Sequence, residues 1–412
     1  MAWKRNFYIL WSGQYLAITG LTVLVPFLPF YMQELGASSL QSSQLWSGLA
    51  LAAPAISSCI TSPLWGKIGD RFGRKLMVVR ALVGLSACLL LMAFVTTPIQ
   101  FLLVRLFQGA FGGVVDASSA FAGSEAPEDE RGKALGSLQS AVAAGSLSGP
   151  LLGGIFIDLI GFRALFMIIG VLTGVGAMVA FVLLTERNRM KSDDEKAIGD
   201  RVLPTFISML SHARTRGFLI AGFGANVAVY GLVTPLAPFV EQMTSSSSTA
   251  VKWIGLLQVA LWTATLLSAP WWGKQNDRFK VERNYMIAAV VCGLSVLLQG
   301  MATNMPLLLT FRILQGLTVS ALIQSVMYVI VQSSDDFNRG VRVGACNSVL
   351  VSGQVVGSIF GAWMTGFFHP HITFLVMGFL LIGSVCSFIK EWTFSHIRTY
   401  RVNKRKKGWD GF

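Results

Sequence analysis

The chain has 412 residues, of which 53% are hydrophobic and 13% are charged, and its formal net charge is +13. Soluble domains carry roughly 25% charged residues, so this composition excludes an ordinary soluble enzyme and indicates a membrane protein. A strongly positive chain could bind nucleic acid, but the distribution of the charges, given below, argues against that partner.

Apolar runs about twenty residues long recur along the whole chain, and a helix of that length crosses a bilayer core of about 30 Å. They predict an all-α membrane protein with twelve transmembrane helices. The predicted spans are residues 7–31, 45–64, 76–95, 99–121, 135–157, 164–184, 217–240, 253–272, 285–301, 307–331, 343–365 and 372–389.

The spans divide into two bundles of six helices, residues 1–184 and 217–391. A polar linker, 185–216, joins the bundles, and a basic cytoplasmic tail, 392–412, follows them. Within the linker, residues 202–210 are apolar enough to lie on the membrane surface. The serine-rich stretch 244–249 predicts a flexible outer loop.

The basic residues lie on one side of the predicted membrane. If the N-terminus is inside, 29 of the 33 lysines and arginines fall in cytoplasmic segments, and Arg80 is counted among them. The outer loops keep only Arg163 and Lys252, while Arg105 and Arg312 fall inside spans. Cytoplasmic loops of membrane proteins carry an excess of basic residues, so both termini are predicted to be cytoplasmic.

The second half of the chain repeats the first. The segment 62–72 returns 207 positions later as 269–279, with the same Pro, Gly, Lys, Asp, Arg and Phe. Further residues keep the same offset, such as Arg105 and Arg312. A duplicated protein with many spans is usually a transporter.

Residues that would indicate an enzyme, a metal or a cofactor are missing from the sequence pattern. All five cysteines lie in predicted spans without metal or redox spacing, which is typical of packing residues. The histidines His369 and His371 flank Pro370 in a short outer loop, where a solvated turn is favoured over a metal site. We therefore expect no catalytic residues, no metal and no cofactor.

Three motifs resemble those of the major facilitator superfamily. The loop after the second span reads Gly66-x-x-x-Asp70-Arg71-x-Gly73-Arg74-Lys75, and the fourth span carries Arg105-x-x-Gln108-Gly109. The fifth span carries Gly145-x-x-x-Gly149-Pro150-x-x-Gly153-Gly154, which looks like the motif of the antiporter branch. Together with the opening Trp3-Lys4-Arg5-Asn6, these motifs resemble bacterial twelve-span drug:proton antiporters of the MdtG type.

The resemblance implies two pseudo-symmetric bundles that rock around a midplane cavity in the bacterial cytoplasmic (inner) membrane. It implies proton-coupled export of small molecules by a chain that acts as a monomer. A proton-coupled importer of the same fold is the alternative, and the antiporter motif argues against it. The partners expected are a small-molecule substrate, protons and the lipid bilayer.

The loop motif predicts a conformational latch. Asp70 ends the second span, where its carboxylate can complement the positive end of a helix from the other half. The resemblance implies that this helix is the start of span 11, and Arg74 could pair with Glu125. The second copy keeps Asp277-Arg278 but loses the Gly-Arg-Lys ending, so its latch is expected to be weaker.

The glycine motif allows two interpretations. Small residues four apart pack membrane helices closely wherever they occur, and the second half keeps three glycines, Gly353, Gly357 and Gly361. Pro150 becomes Ser358 in the second half. Because a proline bends a helix and the fold does not require it in both halves, we interpret Pro150 as a functional bend.

Span 4 holds the predicted coupling site, Asp116 and Arg105. Eleven residues separate them, which is three helical turns plus about 20°, so a continuous helix places them on one face. A carboxylate inside a membrane is costly and indicates a proton or substrate site. A structural carboxylate bonded to a neighbouring helix is the alternative.

By resemblance, spans 1, 4, 7 and 10 line the cavity. In addition to Arg105 and Asp116, the candidate lining residues are Gln14, Asn226, Tyr230, Arg312 and Gln324. Two arginines against one aspartate suit an anionic or zwitterionic metabolite, such as a carboxylate siderophore, as well as a drug.

Overall fold

A computed structural model describes residues 2–127, 131–186, 202–244, 246–333 and 339–386. Within these ranges the regular structure is helical and contains no strand, which confirms the predicted all-α class. Ten helical segments are long and apolar enough to cross a membrane.

These ten segments and one shorter helix account for all twelve predicted spans. Ala134–Leu183 is one segment of 50 residues, which as a single helix would be about 75 Å long, more than twice the bilayer core. It is divided at Gly161, whose φ of 76° and ψ of 167° lie outside the helical region in a conformation that glycine tolerates. The twelfth span is the shorter helix Pro370–Gly383.

The bounds of the spans follow in chain order. Span 1 contains Ala2–Thr22, a 3-10 turn Val25–Phe27 and Leu28–Glu34; span 2 is Leu40–Phe72, span 3 is Arg74–Met92, and span 4 contains Pro98–Phe111 and Val114–Glu125. Spans 5 and 6 share Arg131–Leu183; span 7 contains Ala213–Gly231 and Val233–Met243; span 8 is Ser247–Arg278, span 9 is Val281–Gly300, span 10 is Met305–Gln332, span 11 is Arg339–Phe367 and span 12 is Pro370–Gly383.

Four spans begin at the predicted outer side with a side-chain cap, and the caps come in pairs 207 residues apart. Ser39 and Ser246 cap spans 2 and 8, while Thr97 and Asn304 cap spans 4 and 10. Each side-chain oxygen accepts a hydrogen bond from a backbone N–H three residues later, which satisfies a free donor of the first turn. The expected flexible loop at 244–249 is wrong from Ser246 onward, because these residues form the cap and the first turn of span 8.

The helices pack in pairs that are equivalent in the two halves. Span 1 packs on span 5 and span 7 on span 11; span 2 packs on span 4 and span 8 on span 10; span 3 packs on span 6 and span 9 on span 12. The halves meet where span 2 contacts span 11 and where span 5 contacts span 8. The apolar stretch of the linker forms a helix, Val202–Ser211, and its place on the membrane surface stays a prediction. The rest of the linker from 187 to 201 and the predicted tail lie outside the described residues.

Candidate functional site

The two halves approach each other closely at their predicted outer ends. A Cβ atom added to Gly154 of span 5 would lie 3.0 Å from the Cα of Gly255 in span 8. One added to Gly48 of span 2 would lie 2.3 Å from the Cβ of Ala362 in span 11. Only glycine fits such approaches, because any side chain would push the two backbones apart. The cleft between the halves is therefore closed at the helix ends that are predicted to be outer.

Toward the cytoplasm the same helix faces separate. The carbonyl oxygens of Pro150 and Ser358 face Gly255 and Gly48 at the outer contacts. Eleven residues earlier, on the same faces of spans 5 and 11, Gln139 and Asn347 are exposed. The cleft thus widens from the outer contacts toward the cytoplasmic ends of the helices.

The glycines of the antiporter motif pack against span 1. A Cβ atom on Gly149 would lie 2.1 Å from the Thr22 Oγ1, and one on Gly153 would lie 2.7 Å from the Val23 carbonyl oxygen. In the second half, a Cβ atom on Gly357 would lie 2.3 Å from the Val227 carbonyl oxygen in span 7. These glycines therefore permit close helix packing in both halves. The functional bend at Pro150 stays a prediction.

Two arginines are buried in the outer parts of spans 4 and 10. Arg105 is 7% exposed and donates hydrogen bonds to the Ala50 carbonyl oxygen at 2.9 Å and to the Gln108 side chain at 2.6 Å. Arg312 is 2% exposed and donates to three glutamine side chains at 2.8–3.3 Å, those of Gln258, Gln299 and Gln315. Among the described residues neither arginine forms an ion pair, so both charges are held by neutral oxygen atoms.

Arg105 and Asp116 do not share a helix face, and the prediction that they do is wrong. Span 4 is interrupted between them: Gly112 is extended, and Gly113 has a left-handed φ of 90°. The periodicity argument assumed a continuous helix, which two adjacent glycines do not provide. Asp116 instead lies in the first turn of the second helix, where its carboxylate complements the positive helix end.

Asp116 lines a pocket of about 180 Å³ between spans 2, 3 and 4. Its side chain is exposed and makes no hydrogen bond or ion pair with another described residue. The structural alternative, a bond to a neighbouring helix, thus finds no partner in the described part of the chain. The pocket is also lined by Ser58, Ser62, Trp65, Arg74 and Arg80.

The assignment of Arg80 to a cytoplasmic loop is wrong, because Arg80 lies six residues inside span 3. Its guanidinium carbon is 3.7 Å from the ring centre of Trp65, and its Nη2 donates to the Gly112 carbonyl oxygen at 3.1 Å. A cation over a tryptophan ring gains about 0.5–2 kcal/mol. The Nε and Nη1 atoms are buried without a partner among the described residues. The sequence did contain the signal, an arginine inside the apolar run 76–95.

The other predicted cavity residues make separate contacts or none among the described residues. Gln14 is buried and donates to the Leu138 carbonyl oxygen of span 5 at 3.1 Å. Asn226 donates to the Gly222 carbonyl oxygen within its own helix. Tyr230 and Gln324 are partly buried, and the Gln324 Oε1 has no partner among the described residues. Their contact with substrate stays a prediction.

The loop motif is described only in part. Gly73, with a φ of 102°, is the single residue between spans 2 and 3, and Glu186 accepts hydrogen bonds from the backbone N–H groups of Arg74 and Lys75 at 2.7 and 3.1 Å. The side chains of Asp70 and Arg71 lie outside the described residues, as do the surroundings of Gly66. Asp277 and Arg278 are exposed at the end of span 8, and Glu125 ends span 4. The latch therefore stays a prediction.

Two equivalent six-helix bundles around a cleft that is closed at one side define a transporter of the alternating-access class. The model of the Major Facilitator Superfamily matches residues 10–263 and 232–410. The chain therefore belongs to the major facilitator superfamily and is a multi-pass membrane transporter.

Its relatives include transporters of different substrates. The chain is 50% identical over 391 residues to the Staphyloferrin B transporter of Staphylococcus aureus, with 94% of each chain covered. It is 30% identical to the multidrug resistance protein MdtG of Proteus mirabilis, with 94% of this chain and 96% of that protein covered.

Solved structures share the fold. The TM-score is 0.71 to a bacterial homologue of the human lysosomal transporter Spinster in an inward-facing, unoccupied conformation, at 16% identity, with 94% of this chain and 95% of that chain covered. It is also 0.71 to a D-xylose-proton symporter at 14% identity, with 94% and 97% covered.

Proposed function

We propose that this transporter exports a carboxylate-bearing metabolite of the siderophore class in exchange for protons. The charge inside the spans carries the proposal. Among the described residues, the ionisable side chains well inside the spans are the three arginines Arg80, Arg105 and Arg312 and one acid, Asp116. None of the arginines makes an ion pair with a described residue, so the interior has an excess of positive charge. Such an interior favours a substrate that carries carboxylates.

The relatives support this substrate class. Identity to the Staphyloferrin B transporter is 50%, against 30% to MdtG of Proteus mirabilis over a similar share of the chain. Export of a broad range of drugs is therefore the second candidate. The motif of the antiporter branch, with Gly149 and Pro150, supports export over import.

Asp116 is the proposed proton carrier. It is the acid of the described spans that lies far from both ends of its span, and it is exposed within a pocket at the fourth span. Protonation from the outer side removes its charge before the cleft closes on that side, which lowers the cost of burying it. Arg105, on the other side of the helix break, contributes a fixed positive charge without contacting the pocket.

The proposed location is the bacterial cytoplasmic membrane, with both termini inside and one chain as the working unit. A tag at Ser192 or after Phe412 should then be cytoplasmic, and a cysteine at Ser246 should react from outside. Outside exposure of the Ser192 tag would contradict the whole loop assignment. Crosslinking in membranes that captures a pair of chains would contradict the monomer.

Transport in proteoliposomes tests the function. Vesicles in which the cytoplasmic face points outward and the lumen is acidic should concentrate staphyloferrin B, and a protonophore should stop this. A lipophilic drug cation serves as the comparison substrate. Accumulation of the drug alone would overturn the substrate class, and accumulation that ignores the pH gradient would overturn proton coupling.

A further inference from the structure

The pocket between spans 2, 3 and 4 has one cationic and one anionic wall. Resting on the proposed function, we infer that it binds a zwitterionic, amino-acid-like group of the substrate, with the carboxylate on Arg80 and the ammonium on Asp116. The pocket then recognises one part of the substrate and exchanges it for a proton.

Arg80 is held ready for an acceptor. Stacking on Trp65 fixes the plane of the guanidinium, and the bond from Nη2 to the Gly112 carbonyl oxygen fixes its rotation. The Gly112 carbonyl oxygen is available to Arg80 because the helix break at Gly112 leaves it free. The Nε and Nη1 atoms have no partner among the described residues, and buried donors without acceptors are costly. An incoming carboxylate supplies the missing acceptors and the opposite charge.

Asp116 lies on a separate wall of the same pocket. It makes no ion pair with Arg80, so the charged atoms of the two side chains, which line the same pocket, do not neutralise each other directly. The pocket volume of about 180 Å³ is well above the roughly 10–15 Å³ that one water molecule needs on this scale, so it admits a small organic group. Spans 2, 3 and 4 all belong to the first half, and span 2 also contacts span 11 of the second half.

The direction of coupling identifies the ammonium. An ammonium bound to ionised Asp116 competes with the proton, so one leaves as the other binds, which is the requirement for exchange. A purely anionic ligand would instead bind better when Asp116 is protonated, which gives co-transport in one direction. Exchange at this pocket therefore requires a positive group beside the carboxylate.

The other described charged groups that line the pocket of Asp116 are the cations Arg74 and Arg80. Span 1, which packs on the second helix of span 4, carries Lys4 and Arg5 near its start, and the helix of Asp116 itself ends at Glu125. No described carboxylate lines the pocket besides Asp116, so the proton and the ammonium compete for this one group.

The second half gives independent support. At the equivalent positions Arg80 is replaced by Ile287 and Asp116 by Ile323, while Trp65 is kept as Trp272. The same fold is thus built with apolar residues at both places. Packing does not require the two charges in the first half.

Binding and proton release of the purified full chain test the inference without transport. The probes are serine as the zwitterion, lactate as a hydroxy carboxylate of the same chain length without an ammonium, and ethanolamine as the counterpart of serine without the carboxylate. Serine should raise the melting temperature and release protons into a weakly buffered solution. Lactate and ethanolamine should bind at least about tenfold more weakly.

Isosteric variants assign the effect to the two residues. Arg80→Gln and Asp116→Asn should each weaken serine binding at least about tenfold, and Asp116→Asn should also abolish proton release. If Arg80→Gln does not fold, Arg80→Lys, which keeps the charge, is measured in its place. Ile287→Val and Ile323→Val, at the equivalent positions, are the matched controls and should bind serine as the unmodified chain does.

Two results would overturn the inference. One is lactate binding that equals serine binding and takes up protons. The other concerns serine itself: either it changes neither the melting temperature nor the proton release up to about 50 mM, far above the millimolar affinity expected of a fragment-sized ligand, or both variants retain the change that it causes. Serine binding without pH-driven transport would overturn the proposed function alone. Transport of staphyloferrin B without serine binding would overturn the zwitterion site alone.

Discussion

Spans 4 and 10 descend from the same duplicated helix, yet one is broken and the other is continuous. Span 10 runs without interruption over Met305–Gln332, whereas span 4 is divided into Pro98–Phe111 and Val114–Glu125. The neighbouring contact is conserved: the indole N–H of Trp65 donates to the Ala110 carbonyl oxygen at 2.6 Å, and that of Trp272 donates to the Leu317 carbonyl oxygen at 2.7 Å. The two halves therefore share this helix contact but differ in the residues next to it.

The sequence difference behind the break is small. Gly112 and Gly113 stand where span 10 has Val319 and Ser320, and side chains there stay in the helix because a left-handed φ is unfavourable for them. Once the helix is broken, the freed Gly112 carbonyl oxygen accepts from Arg80. The fold therefore needs helix contacts in both halves, whereas the charged pocket is a property of the first half alone.

The largest effect expected from this comparison is on coupling. Asp116→Asn imitates the protonated carboxyl permanently, so it should reduce uphill, pH-driven export at least about hundredfold, as the loss of a proton carrier does. Downhill exchange should remain measurable in the same proteoliposomes. Ile323→Asn, at the equivalent position of span 10, is the control and should retain uphill export. Uphill export by the Asp116→Asn vesicles would show that the carboxylate is structural.

The second-largest effect is expected from overpacking at the paired glycines. Gly149→Ala and Gly357→Ala should each cost about 1–3 kcal/mol of stability. Gly357→Ala should cost more, because its Cβ would meet the Val227 backbone oxygen at 2.3 Å, whereas the nearest atom at Gly149 is the Thr22 hydroxyl oxygen.

Thermal unfolding in detergent measures this difference. Gly136→Ala and Gly344→Ala are matched controls in the same two helices, since no atom lies within 4 Å of either added Cβ. If Gly357→Ala unfolds at the same temperature as Gly344→Ala, the close packing of spans 7 and 11 is refuted.

The helix break gives a smaller effect. Gly113→Ala forces a side chain into a left-handed conformation and should cost about 1–2 kcal/mol. Gly123→Ala, in the second helix of the same span, has no atom within 4 Å of its Cβ and should be neutral or stabilising by up to about 1 kcal/mol. Denaturation of the two variants side by side checks this. An unaffected Gly113→Ala protein would mean that span 4 is continuous.

The smallest effect is expected at the two loop copies. Asp70→Asn should shift the protein toward its cytoplasm-open state by about 0.3–1 kcal/mol, the range for one charge at a helix end. Asp277→Asn should shift it less, because that copy lacks the Gly-Arg-Lys ending. Labelling of cysteines placed at each side reports the shift. Unchanged labelling and normal turnover in Asp70→Asn would remove the latch from the mechanism.

Much of the fold followed from sequence for a physical reason. In a bilayer each span must satisfy its own backbone hydrogen bonds, so an apolar run of sufficient length becomes a helix whatever its neighbours are. The repeat of segment 62–72 as 269–279 then predicts two equivalent bundles, and the equivalent helix pairs confirm it. The loop charges are harder to assign from sequence. The charge distribution places Arg80 in the loop, although an arginine can be stabilised inside a span by an aromatic ring.

The sequence by itself determined the transporter class, the twelve helices, the pairing of the halves and the position of Asp116 as a rare acid inside a span. Only the tertiary structure decided which residues Asp116 meets. Helical periodicity carries information only along an unbroken helix, and the break at Gly112–Gly113 ends it. Three separate spans then bring Trp65, Arg80 and Asp116 to one pocket, because contacts between helices depend on how they pack and not on their spacing in the chain.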